Sequence, residues 1–252
     1  MLNEERKRKI LEITNERKSV SLTELMDLLD ASQSTIRRDL NELHQSKLLK
    51  KVHGGAVSLS NILTQDKTVL QRQDQNRESK AIIARYAASL IKDSDVVYID
   101  AGTTTGEMLQ YLRTVRATYI TNCVSHAQVL ANFGHQVYVT GGVLKTRTDA
   151  LVGSDTYKYI ENMNFTIGFF GSNGVSIDEG FTTPDPQEGE IKRIAYRHCN
   201  EKYILADASK FNVISTYSFA RIDQGFIITD SSAPKKYKDL HNSIIADLVE
   251  IQ

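Results

Sequence analysis

The sequence predicts an α/β protein in two parts, a small head of three helices and a hairpin ahead of a larger body built on a mostly parallel sheet. Three observations predict it. The 252 residues exceed one small module and suffice for two domains. The first sixty residues show helical periodicity that ends in a basic stretch and a Gly-Gly turn. The remainder repeats one theme, a short β-branched and aromatic run that stops at a small or polar cluster, in several cases followed by a helical pattern.

Composition narrows the class. At 40% hydrophobic and 25% charged residues the chain matches an ordinary soluble globular protein, and no apolar run approaches a membrane span. The opening "MLNEERKRKI" lacks the apolar core of a signal peptide, so a cytoplasmic protein without a membrane partner is expected. The two cysteines, Cys123 and Cys199, read as buried thiols of a reduced compartment. The six histidines are scattered without metal-ligand spacing, and neither a metal nor a cofactor is expected. Net charge is zero, but residues 1–58 hold eleven Lys and Arg against nine Asp and Glu, and residues 31–58 hold five against two. The positive charge lies in the head.

Within the head, "ERKRKILEIT" offers Ile10 and Ile13 to a core. "SLTELMDLLD" spaces Leu22, Leu25, Met26 and Leu29 at i, i+3, i+4 and i+7, with Ser21 or Thr23 as cap. A "DAS" turn follows, and Ser32 can cap the third helix. There Ile36, Leu40 and Leu43 define the inward face. The opposite face carries Ser34, Arg38, Asn41 and Gln45, flanked by Thr35 and Arg37. Such a stripe combines phosphate anchors with side chains able to read base edges. A lone amphipathic helix with two arginines is common; the sequel separates this one from that class. "LLKKVHGGAV" supplies a short strand, a basic pair and a Gly-Gly turn, a β-wing whose Lys50, Lys51 and His53 can lie along a phosphate backbone. Together these elements predict a winged helix-turn-helix contacting double-stranded DNA through Ser34, Thr35, Arg37, Arg38, Asn41, Lys50, Lys51 and His53.

"STIRRDLNEL" followed by "LLKKVHGGA" resembles the signature of DeoR-type bacterial repressors, whose T-x-R-R-D-L run lies on the recognition helix. One departure is visible. The family usually has a glycine between helix and wing, whereas this chain has "HQSKLL", leaving Ser46 or Lys47 to end the helix. Asp39 is expected to orient one of its arginine neighbours, since its charge would be repelled by DNA.

Residues 59–76 are polar and glutamine-rich, and read as a partly ordered connector between head (1–58) and body (77–252). From Glu78 a helix carries Ile82, Ile83, Tyr86, Ala87, Leu90 and Ile91 on its apolar face and stops at "KDSD". Six runs then read as strands: "VVYID", "ATYIT", "QVYVT", "TIGFF", "KYILA" and "GFIIT". "TGEMLQYLR", "VSHAQVLANF" and "QEGEIKRIAYRHC" read as helices between them. Ligands of such sheets bind beyond the carboxyl ends of the strands. Asp100, residues 102–105, Asn122, Gly141–Gly142, Asn173 and Asp207–Lys210 would then share one rim. Glycine permits close backbone approach, threonine hydroxyls donate, and a helix N-terminus with lysines neutralises a phosphate.

The body is also similar to the DeoR-type sensor domain, through "KAIIARYAASLIKDSDVVYIDAGTTT", "TN", "GG", "ALVGS", "GSNGV", "IKR" and "DASKF". The two resemblances cover nearly the whole chain. They imply a fold related to ribose-5-phosphate isomerase and CoA-transferases, and an effector site at Lys80, Asp100, Gly102, Thr103, Thr104, Thr105, Asn122, Lys192, Asp207 and Lys210. "GFTTPDPQEGEIKR" most resembles the fructose-operon repressors of the family, whose inducer is fructose 1-phosphate. The resemblance therefore implies a repressor of a sugar operon, without catalytic residues; the geometry of a two-fold operator points to a dimer or tetramer. Arg147 is a further candidate at the rim. The competing class is a sugar-phosphate isomerase with Asp100, Asp207 or Glu188 as base, which leaves the DNA-binding head unexplained. A third is an activator or architectural DNA protein with a vestigial body.

Overall fold

The computed structural model describes residues 2–17, 19–46, 48–59 and 68–250, and the backbone of 62–63. The head comprises α1 (Asn3–Arg17), β1 (Ser19–Ser21), α2 (Leu22–Leu29), α3 (Gln33–Gln45), β2 (Leu49–Val52) and β3 (Gly55–Ser58). Ser21 caps α2 through a reciprocal capping box with Glu24, and Ser32 caps α3 by accepting from the Thr35 N–H. The helix departing from the family's glycine stops at Ser46. Ile10, Leu25, Ile36, Leu40 and Leu49 are fully buried where the three helices meet the hairpin.

β3 runs between β1 and β2, antiparallel to both. β1, three residues with polar ends, carries no readable strand pattern. The two glycines after His53 answer two different demands. Gly54 takes the left-handed φ of 81° that closes the hairpin turn. At Gly55 a Cβ would fall 2.1 Å from the Val20 carbonyl oxygen, so only glycine lets β3 pair with β1.

Asp39 corrects the expectation that it serves a neighbouring arginine. Its carboxylate faces inward, fully buried, and Arg6 of α1 donates to both oxygens, Nε to Oδ2 at 2.5 Å and Nη2 to Oδ1 at 3.1 Å. Arg37 and Arg38 point to solvent. The helical period puts position 39 beside Leu43 and Ile36, about a third of a turn from the exposed stripe.

Beyond the head come β4 (Ile62–Leu63), α4 (Val69–Gln73), α5 (Arg77–Ser89), β5 (Val96–Ile99), α6 (Thr103–Met108), β6 (Thr118–Thr121), α7 (Val124–Asn132) and β7 (Gln136–Val139). The chain continues through β8 (Val143–Lys145), β9 (Ala150–Val152), α8 (Ser154–Glu161), β10 (Phe165–Gly171), β11 (Gly174–Ser176), β12 (Gly180–Thr183), α9 (Pro186–Arg197) and β13 (Cys199–Leu205). It ends with β14 (Ile214–Ser215), β15 (Tyr217–Ala220), β16 (Phe226–Thr229), α10 (Lys235–Lys238) and β17 (Ser243–Ile245).

All six runs read as strands enter one seven-stranded sheet, ordered β17-β16-β13-β10-β5-β6-β7 and parallel throughout. Alternation within each strand divides the core between the two faces. Tyr98, Ile120, Phe170, Ile204 and Ile227 pack on one side, and Val97, Ile99, Tyr119, Phe169, Leu205 and Ile228 on the other. Both faces are covered over the central strands, which therefore read as continuous apolar runs, while β7 at the sheet edge leaves Tyr138 and Val139 exposed. The short pieces β8–β9, β11-β12-β15 and the β4–β14 pair form small sheets of their own, too brief to show a period in sequence. Cys123 and Cys199 are buried free thiols, and burial pushes both up to about 12.

Candidate functional site

Two assemblies of polar residues stand out, one on the head and one at the sheet edge. On the head, α3 exposes Ser34, Arg37, Arg38 and Asn41, with Thr35 half-buried beside them. A groove of about 570 Å³ runs between α3 and the wing, and Arg37, Asn41, Lys51 and His53 all line it. The Lys51 ammonium donates to Asn41 Oδ1 at 2.6 Å, tying wing to helix. Lys50 faces the body instead. Its Nζ lies 2.8 Å from Glu179 Oε1, and the His53 backbone N–H donates to Asp178 Oδ2 at 2.5 Å. Both acidic residues sit in the turn between β11 and β12.

At the sheet edge, parallel strands deliver their last residues to one place. Asp100 follows β5, Ser172 and Asn173 follow β10, and Asp207 follows β13. A narrow cavity of about 30 Å³, room for one water, is walled by the Gly102–Thr104 turn, Gly171–Asn173, Lys192, Lys210, Glu188 and Arg72. Gly102 caps α6 without any side-chain bond, so the first N–H groups of α6 keep donors in hand. A wider cleft of about 660 Å³ borders the same turn at Gly102 and Thr103 and extends between α4, α6 and α7.

Five of the ten effector residues read from sequence, Gly102, Thr103, Thr104, Lys192 and Lys210, line the small cavity directly. The other five are placed behind it. Asp100 is buried and spans the Lys192 ammonium and the Gly171 N–H, fixing the height of that lysine. The Thr105 hydroxyl donates to the Asp100 and Gly102 carbonyls, which shapes the turn from within. Asn122 is fully committed inside the protein: its Oδ1 accepts from Tyr98 OH at 3.2 Å and from the Ala101 N–H at 3.1 Å, and its Nδ2 donates to the Leu151 carbonyl. The Asp207 Oδ1 accepts from Asn76, Ser209 N–H and Ser209 Oγ, while its buried Oδ2 finds no partner among the described residues. Lys80 lies buried and donates to the Arg72 carbonyl. Burial, and after it the charges of Lys210 and Arg72, hold its ammonium below the usual lysine range, with Asp207 opposing them.

Three titratable residues escaped the sequence reading, two on this wall and one on the wider cleft. Glu188, nominated only as an alternative base, accepts from Thr148 Oγ1 at 2.7 Å and lies 3.3 Å from Lys145 Nζ. His126 lines the wide cleft, buried, with Nδ1 unpartnered among the described residues, and burial pulls its imidazole down to about 4. Arg72 comes from the segment read as connector. Its helix was legible as a capping box, since Thr68 accepts from the Gln71 N–H and Gln71 accepts in return.

Comparison with known proteins matches both parts of the chain. Residues 6–61 match the DeoR-like helix-turn-helix domain, and residues 75–231 match the DeoR C terminal sensor domain. The chain is 37% identical over 99% of its length, and 100% of the relative's, to the "Uncharacterized HTH-type transcriptional regulator FruR" of Bacillus subtilis (strain 168). It is 35% identical to the HTH-type transcriptional regulator GlpR of Haloferax volcanii, covering 92% of this chain and 91% of that one. It is 31% identical to the lactose phosphotransferase system repressor of Staphylococcus epidermidis, covering 93% and 95%. Among solved structures, ribose 5-phosphate isomerase A of Methanocaldococcus jannaschii matches 54% of this chain and 55% of its own at 16% identity, with a TM-score of 0.41. A helix-turn-helix head and a parallel-sheet sensor body, matched along nearly the full length of regulators, give one conclusion: the chain belongs to the DeoR family of transcriptional regulators.

Proposed function

We propose that the protein is a transcriptional repressor of a sugar-uptake or sugar-breakdown operon, released from its operator by a phosphorylated sugar, fructose 1-phosphate. The observation that carries this reading is the meeting of Gly102–Thr104, Lys192 and Lys210 at one cavity of the sheet edge. Hydroxyls, uncapped N–H groups and two ammonium groups match the needs of a phosphate dianion. The adjoining cleft, with its neutral His126, offers room and a hydrogen-bonding group for the sugar. The names of two relatives, a FruR and a lactose phosphotransferase system repressor, support the sugar assignment.

In this reading residues 1–58 form the DNA-binding domain, 59–76 the connector and 77–252 the sensor, in a cytoplasmic dimer or tetramer. Ser34, Thr35, Arg37, Arg38, Asn41, Lys50, Lys51 and His53 contact the operator. Lys80, Asp100, Gly102 to Thr105, Asn122, Lys192, Asp207 and Lys210 form the effector site, those behind the wall acting by holding those that line it. Two of the three carboxylates an isomerase would use, Asp100 and Glu188, are held by Lys192 and by Thr148 with Lys145, which favours a sensor over a catalyst. Calorimetric titration with fructose 1-phosphate, fructose 6-phosphate and glucose 6-phosphate tests the assignment. Saturable binding of fructose 1-phosphate ahead of the others is expected; a preference for another member would overturn the sugar.

A further inference from the structure

Of the residues walling the small cavity, Arg72 alone precedes α5: it rides on α4. Ten residues, 59–68, separate the end of β3 from the start of α4, so among the described residues this is the first α-helix after the head. It is held at both ends. At the front, the Val69 N–H donates to the Arg147 carbonyl at 3.0 Å. At the back, the Lys80 ammonium donates to the Arg72 carbonyl, and the Asn76 amide donates to Asp207 Oδ1 at 2.8 Å. Lys80 and Asp207 are buried at the sheet edge. The body thus grips the connector through two of its own charged groups, and the connector returns a guanidinium to the cavity those groups surround.

Arg72, Lys192 and Lys210 all line the cavity, where Glu188 is the one lining carboxylate among the described residues. Burial first holds the Lys80 ammonium low, Asp207 opposes it, and Lys210 and Arg72 then act against its protonation, so several cations gather around one space. A phosphate dianion entering that space relieves the crowding, and a guanidinium meets it with a planar fork of donors that an ammonium lacks. The cavity holds about one water as it stands, so a phosphate seated fully inside it needs a wall to move. The wall most free to move is α4, which has five residues and buries none, whereas the others belong to strands, their turns, α6 and the twelve-residue α9.

We propose that Arg72 is a phosphate-binding residue of the effector cavity, and that through it ligand binding repositions α4 and so the connector to the head. The proposal rests on the sugar-phosphate reading of the site and adds the route by which occupancy is reported. An arriving phosphate draws the Lys80 ammonium away from the Arg72 carbonyl while recruiting the Arg72 guanidinium. Both changes act on the same short helix. A ligand can shift the head only through such a difference in contacts between two states.

The test uses full-length protein, fructose 1-phosphate, and the variants Arg72→Gln, Arg72→Lys and Lys210→Gln. Calorimetry gives affinity, hydrogen exchange follows the amides of 68–76, and fluorescence anisotropy follows operator release. In the unsubstituted protein the ligand is expected to change exchange across 68–76. Arg72→Gln is expected to weaken binding at least tenfold and abolish that change, with Arg72→Lys several-fold weaker than the unsubstituted protein. A purely structural Arg72 would lower the melting temperature and leave ligand affinity intact. If Arg72→Gln fails to fold, Arg72→Lys decides alone, and unaltered affinity and release in it would overturn the proposal. Loss of binding in Lys210→Gln but not in either Arg72 variant would overturn it while leaving the sugar-phosphate site standing. Failure of the unsubstituted protein to bind any sugar phosphate would overturn both.

Discussion

Lys50 Nζ on the wing lies 2.8 Å from Glu179 Oε1 on the body, so a residue proposed to contact DNA is held by its own chain. With Asp178 accepting from the His53 N–H beside it, the β11–β12 turn covers part of the wing. Both contacts must open for the wing to reach a phosphate backbone. Exposed pairs of this kind are worth about 0.2–1 kcal/mol. The double substitution Asp178→Asn with Glu179→Gln is therefore expected to raise operator affinity by about two- to fivefold in low salt, read by anisotropy. The gain should shrink as salt screens the pair. Unchanged or weaker binding would show that this contact does not compete with DNA.

Arg38 lies on the outward stripe of α3, exposed and aimed away from the core. Its replacement by Ala should weaken operator binding and lower the slope of log affinity against log salt by about one if it contacts a phosphate. A contact to a base edge would instead relax specificity at one operator position. Titrations over a salt series, with native and singly mutated operators, separate the two.

The ion pair of Arg6 with Asp39 makes a stability prediction. Removing one partner strands the other inside the head, and a broken buried pair costs about 3 kcal/mol. Asp39→Ala should lower the head's unfolding transition in thermal melts. Replacing both, as Arg6→Met with Asp39→Leu, should recover much of the loss. Operator binding by Asp39→Ala at a temperature where it stays folded should be near normal, since Asp39 faces away from the exposed stripe.

What the sequence made legible follows from length and periodicity. Six strands of the parallel sheet were readable because residues such as Val97, Tyr98 and Ile99 are buried on both faces and form unbroken apolar runs. Ile36, Leu40 and Leu43 fixed the inner face of α3, and Ser32 its start. Asp39 was misread because its partner, Arg6, is 33 residues away, and a single sequence carries no trace of that distance. Arg72 was missed for a similar reason, since only the folded chain brings α4 over Gly102 and Lys210. Asn122 and Thr105 were readable as members of the site's vicinity, but whether a polar side chain faces a ligand or its own backbone is settled by packing.

His126 predicts a dependence on pH. An unfolded histidine titrates near 6.5, whereas burial holds this one at about 4, so the unfolded chain takes up the proton more readily between these values. The stability gained by keeping the ring neutral is full above pH 6.5 and is lost as pH falls toward 4. It amounts to about 3 kcal/mol over the window. Denaturant melts of His126→Gln should show a flatter decline from pH 6.5 to 4 than the unsubstituted protein, carboxylate titration being common to both. Equal slopes would place the His126 ring in contact with water.

The central claim is that occupancy of the sheet-edge cavity governs the grip of the heads on DNA. A coupling of about 1–3 kcal/mol changes operator affinity by roughly 5- to 150-fold. Operator binding measured by anisotropy, with and without saturating fructose 1-phosphate, tests it most directly. The account predicts weaker binding by a factor in that range, abolished in Thr104→Val with Lys210→Gln. Superimposable isotherms, in a protein shown by calorimetry to bind the sugar phosphate, would contradict it.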